Sequence, residues 1–154
     1  MRASSGRHWR RSGRVLIRRE FTLELSSWRD HSRQVLPLVP VVAIIEASMH
    51  DAGGTETVLP AGQLRLDPDG QRPVIRPDNA LLPPVPRGGR VVIRLLAGMA
   101  DDWDALPADL GQAVLLLAAH YHEYRHETAF GSGCMPFGVT SLIQRYRVIR
   151  LGVA

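Results

Sequence analysis

Residues 106–127, LPADLGQAVLLLAAHYHEYRHE, decide the fold class because they read as one long helix. Pro107 suits the first turn of a helix, where its missing N–H costs no hydrogen bond, and Asp109 adds a favourable charge at the N-terminus. Apolar residues that step by four and three form one stripe: Leu110, Val114, Leu117, Tyr121 and Tyr124. Further apolar residues fall outside that stripe: Leu115, Ala118 and Ala119. Such a helix is either central to the core or shared between the core and a neighbouring subunit.

The chain before this helix carries strand patterns. Residues 41–49 alternate with a period of two and form the clearest strand, and the turn at residues 51–54 returns it as a partner strand at residues 55–59. Shorter strands are predicted at three further places, residues 63–66, 73–75 and 90–96. The outline is an α+β fold, in which a small antiparallel β region of hairpins precedes a long buried helix and a C-terminal helix or tail.

Three connecting segments carry weaker signals. The alternation in residues 14–25 shifts phase, which predicts a bulge or break near residues 18–20. Residues 36–40 predict an extended linker, because each proline restricts the residue before it. Thr140 is a candidate N-cap for a second helix, although residues 144–151 would also fit an extended segment.

The length of 154 residues predicts a single domain with four parts. These parts are a basic N-terminal arm (1–12), a β-rich region (13–106), the long helix (107–130), and a hinge with a C-terminal docking segment (131–154). All nineteen basic residues are arginine, and seven of them precede the first acidic residue, Glu20. The remaining twelve arginines face fifteen acids, so residues 20–154 carry a net charge of about −3. The high isoelectric point therefore belongs to the arm.

The residues show no pattern typical of an enzyme. No Walker loop, Gly-x-Gly-x-x-Gly motif or nucleophile elbow is present, and the single cysteine, Cys134, excludes an internal disulfide and a cysteine zinc site. His122 and His126 share a helix face and could ligate a metal, but the pattern departs from His-Glu-x-x-His and a third ligand is not obvious. A polar last helical turn explains them better. No apolar run is long enough to span a membrane. We therefore expect no catalytic residues, no metal and no cofactor.

The basic termini leave two classes of partner open. The arm contains Trp9, and the tail combines Tyr146 with Arg145, Arg147 and Arg150. Such segments bind nucleic acid through phosphate contacts and stacking. They are equally suited to docking onto acidic protein surfaces, and composition alone does not separate the two.

A series of segments along the chain resembles a known family. They are residues 12–17 and 21–25, residues 38–45, the hairpin at 51–59, the helix at 106–127, and the finish from 136 to 151. Their order resembles the head–tail connector, or adaptor, proteins of long-tailed bacteriophages and of the gene transfer agents derived from them. The resemblance runs from about residue 9 to the end. Family members usually carry a helical segment before residues 13–17, where this sequence has only residues 1–11, so either those helices were lost or the gene start is set too late.

The resemblance implies a structural role. Such proteins form a ring, typically of twelve copies, beneath the portal at the head–tail junction of a virion or phage-like particle assembled in the bacterial cytoplasm. The ring extends the DNA channel, lets DNA pass without sequence-specific binding, and offers a platform to the stopper and tail proteins. No catalysis, cofactor or membrane contact is implied.

The resemblance also suggests which residues contact partners, because the C-terminal segment of relatives docks onto the portal. Apolar anchors on the portal are then expected from Leu142, Ile143, Tyr146, Val148 and Ile149. Pairing with portal acids is expected from Arg145, Arg147 and Arg150. For the contact between ring subunits, the apolar helix offers Leu115, Ala118, Ala119 and His122. The alternative function is a nucleic-acid-binding module that uses the basic termini.

Overall fold

The computed structural model describes residues 14–124 and 135–146. Within them the chain forms seven strands followed by two α-helices, which confirms the α+β class with strands first and helices later. The strands are β1 (Arg19–Leu25), β2 (Gln34–Val35), β3 (Val41–His50), β4 (Glu56–Val58), β5 (Leu64–Asp67), β6 (Val74–Pro77) and β7 (Arg90–Ala97). The helices are α1 (Ala108–Glu123) and α2 (Phe137–Ile143), and a 3-10 turn (Gln144–Tyr146) follows α2. The chain divides into two compact units, Met1–Asp101 and Asp102–Ala154, and its organisation as a single domain stays a prediction.

The first unit is built around β7. This strand pairs antiparallel with β1 on one side and with β3 on the other, and β4 extends the sheet in the order β1-β7-β3-β4. Alternate residues of β7 point into the core and are completely buried: Val91, Ile93, Leu95 and Ala97. The predicted hairpin is confirmed, because Ser48 to His50 pair with Val58 to Glu56.

Strand β3 is irregular where it runs beyond β4. Its register against β7 shifts between Val41 and Ala43 and again between Ile44 and Glu46. The extra residues, Val42 and Ile45, are exposed. The pattern is that of two β-bulges, each of which bends and twists the strand.

The second sheet contains the main departure from the sequence prediction. Its order is β2-β6-β5, and β2 was not predicted. The expectation that residues 36–40 form a linker is wrong, since Leu36, Leu38 and Val39 are buried. Backbone pairing explains the difference, because the Leu36 N–H donates to the Pro73 carbonyl at 2.9 Å and the Val15 N–H donates to the Val39 carbonyl at 2.8 Å. Proline restricts the chain to extended backbone, and extended backbone can also pair and pack.

The predicted break near residues 18–20 is confirmed by a close backbone approach. Strand β1 begins at Arg19, and the N–H of Arg18 donates instead to the Ala100 carbonyl at 2.7 Å. Gly98 faces this point with φ of +147°, and a Cβ atom there would collide with the backbone of Arg18. Glycine is therefore required by both conformation and space.

Helix α1 opens the described part of the second unit and is shorter than predicted. It ends at Glu123, where Tyr124 leaves the helical conformation with φ of −97° and ψ of 19°. The prediction of a helix to residue 130 is wrong at residue 124, and residues 125–130 lie outside the described residues. The side chains of the last turn are mostly exposed, so packing does not extend the helix further.

Helix α2 begins earlier than predicted. Pro136 is its N-cap, and Thr140 lies inside the helix, where its hydroxyl donates to the Pro136 carbonyl at 3.3 Å. The expectation of Thr140 as N-cap is therefore wrong, because proline with its fixed φ starts the helix three residues sooner. Residues 144–146 form a tight turn, while residues 147–151 lie outside the described residues.

Candidate functional site

One face of α1 presents all the residues predicted for the subunit contact. Helical spacing places Leu115, Ala118, Ala119 and His122 on the same side, and each is exposed. The side chain of Leu115 is 62% exposed. The expectation of a helix buried along its length is wrong, because in the described helix only Leu110 and Ala113 are buried. The apolar content of α1 thus exceeds what this chain covers.

A groove runs beside this face at the N-terminal end of α1. It has a volume of about 390 Å³ and is lined by Trp103, Asp104, Leu106, Ala108, Gly111, Gln112 and Leu115. The missing side chain of Gly111 lets the indole approach, since a Cβ atom there would lie 3.7 Å from Cζ2 of Trp103. The turn before the helix is held by the Ala105 N–H, which donates to Asp102 Oδ1 at 2.8 Å. Sequence reasoning missed this groove.

Helix α2 and the 3-10 turn run back along α1. Near the start of α2, a Cβ atom on Gly138 would lie 3.9 Å from Cδ1 of Leu116. At the other end, Asp109 Oδ2 lies 2.7 Å from Nη2 of Arg145, and Asp109 Oδ1 accepts a hydrogen bond of 3.0 Å from the Tyr146 hydroxyl. The two segments are therefore antiparallel, and Asp109 ties the end of the second to the start of α1.

The charge on Arg145 is stabilised by this arrangement. A hydrogen bond to the Tyr146 hydroxyl raises the pKa of Arg145 first, and the nearby carboxylate of Asp109 raises it further. Asp109 also lies in the first turn of α1, where a negative charge is favourable. The sequence indicated that role for Asp109 but not its partners.

The residues predicted to dock on a portal are only in part available in this arrangement. Leu142, Ile143 and Tyr146 are half-buried, and Arg145 is exposed but paired. The predicted Arg147, Val148, Ile149 and Arg150 lie outside the described residues. An unpredicted residue, Phe137 at the start of α2, is 88% exposed.

Ion pairs cross the outer face of the first sheet. Arg94 on β7 lies 2.9 Å from Glu20 on β1 and 3.0 Å from Glu46 on β3. The hydrogen bond from Glu20 raises the pKa of Arg94 most, followed by that from Glu46. Arg90 lies 3.7 Å from Glu24. These arginines are balanced by carboxylates of the same face, so they are poorly suited to hold phosphate groups.

The described residues contain no metal centre and no membrane span. Within residues 14–124 and 135–146, no three or more His, Cys, Asp or Glu side chains are grouped so that they could hold a metal ion. His126 and Cys134 lie outside the described residues. Neither described helix is both long and apolar enough to cross a membrane.

Comparison with known proteins gives matches among solved structures. No family model matches the chain, and no curated protein matches it. Three solved chains align over 94% of this chain at 46% identity with a TM-score of 0.81. They come from the neck of an empty gene transfer agent (GTA) particle computed with C6 symmetry, the neck of a native GTA particle computed with C12 symmetry, and the virion of a native GTA particle. The alignments span 72%, 77% and 72% of those chains, respectively.

Proposed function

Because this chain belongs to the head–tail connector family of long-tailed bacteriophages and gene transfer agents, we propose that it is a structural adaptor in the neck of such a particle. In this role it forms a ring of twelve copies below the portal, links the capsid to the stopper and tail, and extends the DNA channel. The observation that carries the proposal is the 46% identity over 94% of the chain with neck components. Reconstruction of those necks with C12 and C6 symmetry is compatible with twelve copies, since sixfold rotation is contained in twelvefold rotation.

The exposed face of α1 supports ring formation. A monomer seldom exposes a contiguous apolar surface unless a partner covers it. We assign the contact between neighbouring subunits to Leu115, Ala118, Ala119 and His122. The two alanines allow the surface of a neighbour to approach the helix closely, and Leu115 supplies apolar area.

The C-terminal segment is assigned to the portal. Its apolar anchors are Leu142, Ile143, Tyr146, Val148 and Ile149, and its charged contacts are Arg145, Arg147 and Arg150. Arginine pairs with carboxylates through two parallel hydrogen bonds, which gives such contacts a defined geometry. On the portal, Arg145 exchanges its contact with Asp109 for a carboxylate of the partner.

The role is structural rather than catalytic, and it needs no cofactor. The neighbours are components of particle necks, and the described residues bring together no nucleophile, base and oxyanion site. The proposed partners are copies of the same chain, the portal, and the stopper or other tail proteins. DNA passes through the ring without sequence-specific contacts.

Light scattering tests this function on the full chain, alone and mixed with the portal ring of the same source. We expect one chain to join per portal subunit. A variant truncated after Tyr146 keeps every described element and loses four of the assigned portal residues, so its binding to the portal should be weaker. Absence of portal binding by the full chain at moderate salt would contradict the proposal. Binding to DNA that weakens steeply with salt would then favour the nucleic-acid alternative.

A further inference from the structure

The second unit carries an exposed apolar projection and an open apolar groove at different places. We propose that Phe137 of one copy inserts into the groove between Trp103 and Leu115 of the next copy around the ring. This contact rests on the proposed ring function and specifies which surfaces of two neighbouring subunits meet. The occupant of the groove is thus a second copy of this chain.

The projection is held in a defined position. Phe137 is the first residue of α2, directly after the N-cap Pro136. The Thr140 N–H donates to the Pro136 carbonyl at 3.0 Å, and the Thr140 hydroxyl donates to the same oxygen at 3.3 Å. A side chain fixed at a helix start loses little conformational entropy on binding, which favours it as an anchor.

The groove has the size and character that an aromatic ring needs. Its volume is about 390 Å³, with the indole of Trp103 on one side and Leu115 on the other. Both side chains are exposed in the chain. An aromatic side chain buries about 150–250 Å², and aromatic pairs gain further energy from tilted or offset ring contacts.

The groove cannot be the place of Phe137 within the same chain. Gly138 lies beside Leu116, which is about 100° around α1 from Leu115. Phe137 is 88% exposed in the chain, so it is not inserted there. The projection and the groove are therefore two separate surfaces of one unit.

Cyclic symmetry explains why one chain carries both surfaces. In a ring, each subunit meets its two neighbours through different surfaces, so a projection on one side must meet a groove on the other. The similar chains come from necks computed with C12 and C6 symmetry, where such a contact closes. Buried aromatic anchors in pockets dominate the energy of most protein interfaces.

Cross-linking between copies tests the contact directly. In a Cys134→Ser background, chains with Phe137→Cys are mixed with chains with Leu115→Cys, assembled on the portal, and treated with a short bismaleimide linker. We expect dimers from the mixture, and a ladder of multimers when one chain carries both cysteines. The matched control pairs Phe137→Cys with Tyr121→Cys, because Tyr121 is 64% exposed on another face of the same helix.

Truncation of the anchor gives a second measurement. Phe137→Ala should lower the association constant between subunits about tenfold or more, with an unchanged thermal midpoint of the monomer. Leu81→Ala removes a similarly exposed apolar side chain of the first unit and should leave association unchanged.

The outcomes separate this contact from the ring function itself. If the full chain assembles on the portal but the Phe137 and Leu115 cysteines do not cross-link, the contact is refuted and the ring function stands. If the groove cysteine cross-links to the portal or a tail protein instead, another occupant replaces the second copy. If the unmodified chain forms no ring and binds no portal, both proposals fail.

Discussion

Strand β7 and helix α1 are both strongly apolar, yet the chain treats them differently. Every second residue of β7 is completely buried, whereas α1 buries Leu110 and Ala113 and exposes Leu115 and Leu116. The strand's apolar side chains therefore stabilise the fold of the chain itself. The extra apolar side chains of α1 contribute little to that fold, so their contribution is expected in assembly. Mutations in the two elements should accordingly separate stability from association.

The largest effect is expected from the core side of this comparison. Ile93→Ala removes a completely buried side chain of β7 and should lower the free energy of unfolding by about 2–5 kcal/mol, from lost burial and a residual cavity. Leu115→Ala removes more side chain from an exposed site and should change it by less than about 0.5 kcal/mol. Urea unfolding of the dilute chain measures both. Equal losses would show that α1 is as important to the fold as β7.

A charge on the exposed face of α1 should give the reverse behaviour. Ala118→Asp places a carboxylate in the proposed subunit contact, and its desolvation should weaken association about tenfold or more. The thermal midpoint of the monomer should change little, since Ala118 is exposed. Sedimentation measures the association, and Tyr121→Asp is the control with the same charge on another face. Loss of association with both variants would indicate a general charge effect instead of a local contact.

A smaller effect is expected at the tie between the two helices. Asp109→Asn removes the ion pair with Arg145 and keeps a hydrogen-bond acceptor for Tyr146. Because Arg145 is exposed, solvent screens the pair, and hydrogen exchange of the α2 amides should speed up only a few-fold. Amide exchange in β7 should not change. Raised salt should reproduce the effect in the unmodified chain but not in the variant.

The smallest effect concerns the β3–β4 turn of the first unit. The Thr55 N–H donates to Asp51 Oδ1 at 2.8 Å, and this bond holds the pKa of Asp51 below its ordinary range. A carboxyl whose pKa is lower in the folded state stabilises the fold above its unfolded pKa, and that contribution is lost as pH falls through the folded value. Between about pH 5 and pH 3, the thermal midpoint of the unmodified chain should therefore fall more steeply than that of Asp51→Asn. Parallel curves would show that this carboxyl is not coupled to folding.

Local signals in the sequence predicted most of the first unit. The alternation of residues 41–49 and the Asp51–Gly54 turn fixed a hairpin that the structure contains, because period, turn chemistry and burial agree there. Strand β2 escaped prediction because two residues between prolines carry no period. The bulges at Val42 and Ile45 depend on pairing with β7, which lies about 50 residues away in the sequence.

The candidate site could be predicted only in part. The exposed face of α1 follows from helical spacing, which any reader of the sequence can apply. The groove beside Trp103 and the contacts of Asp109 depend on how a turn and a distant segment fold back onto the helix. Phe137 gave no signal, because a single apolar residue after a proline looks the same whether it is buried or exposed. Identity with the neck proteins, and no feature of spacing, supports the functional conclusion.

The bulges of β3 have a consequence for crowding. A flat, unpaired strand edge is a template on which identical chains can zip together into aggregates. Twelve copies gathered around one portal would bring such edges to a very high local concentration. The outer edge of β3 beyond β4 is bent at Val42 and Ile45, so a second copy finds no continuous row of backbone groups to pair with. The irregular strand thus keeps neighbours from associating through the wrong surface while the ring is built.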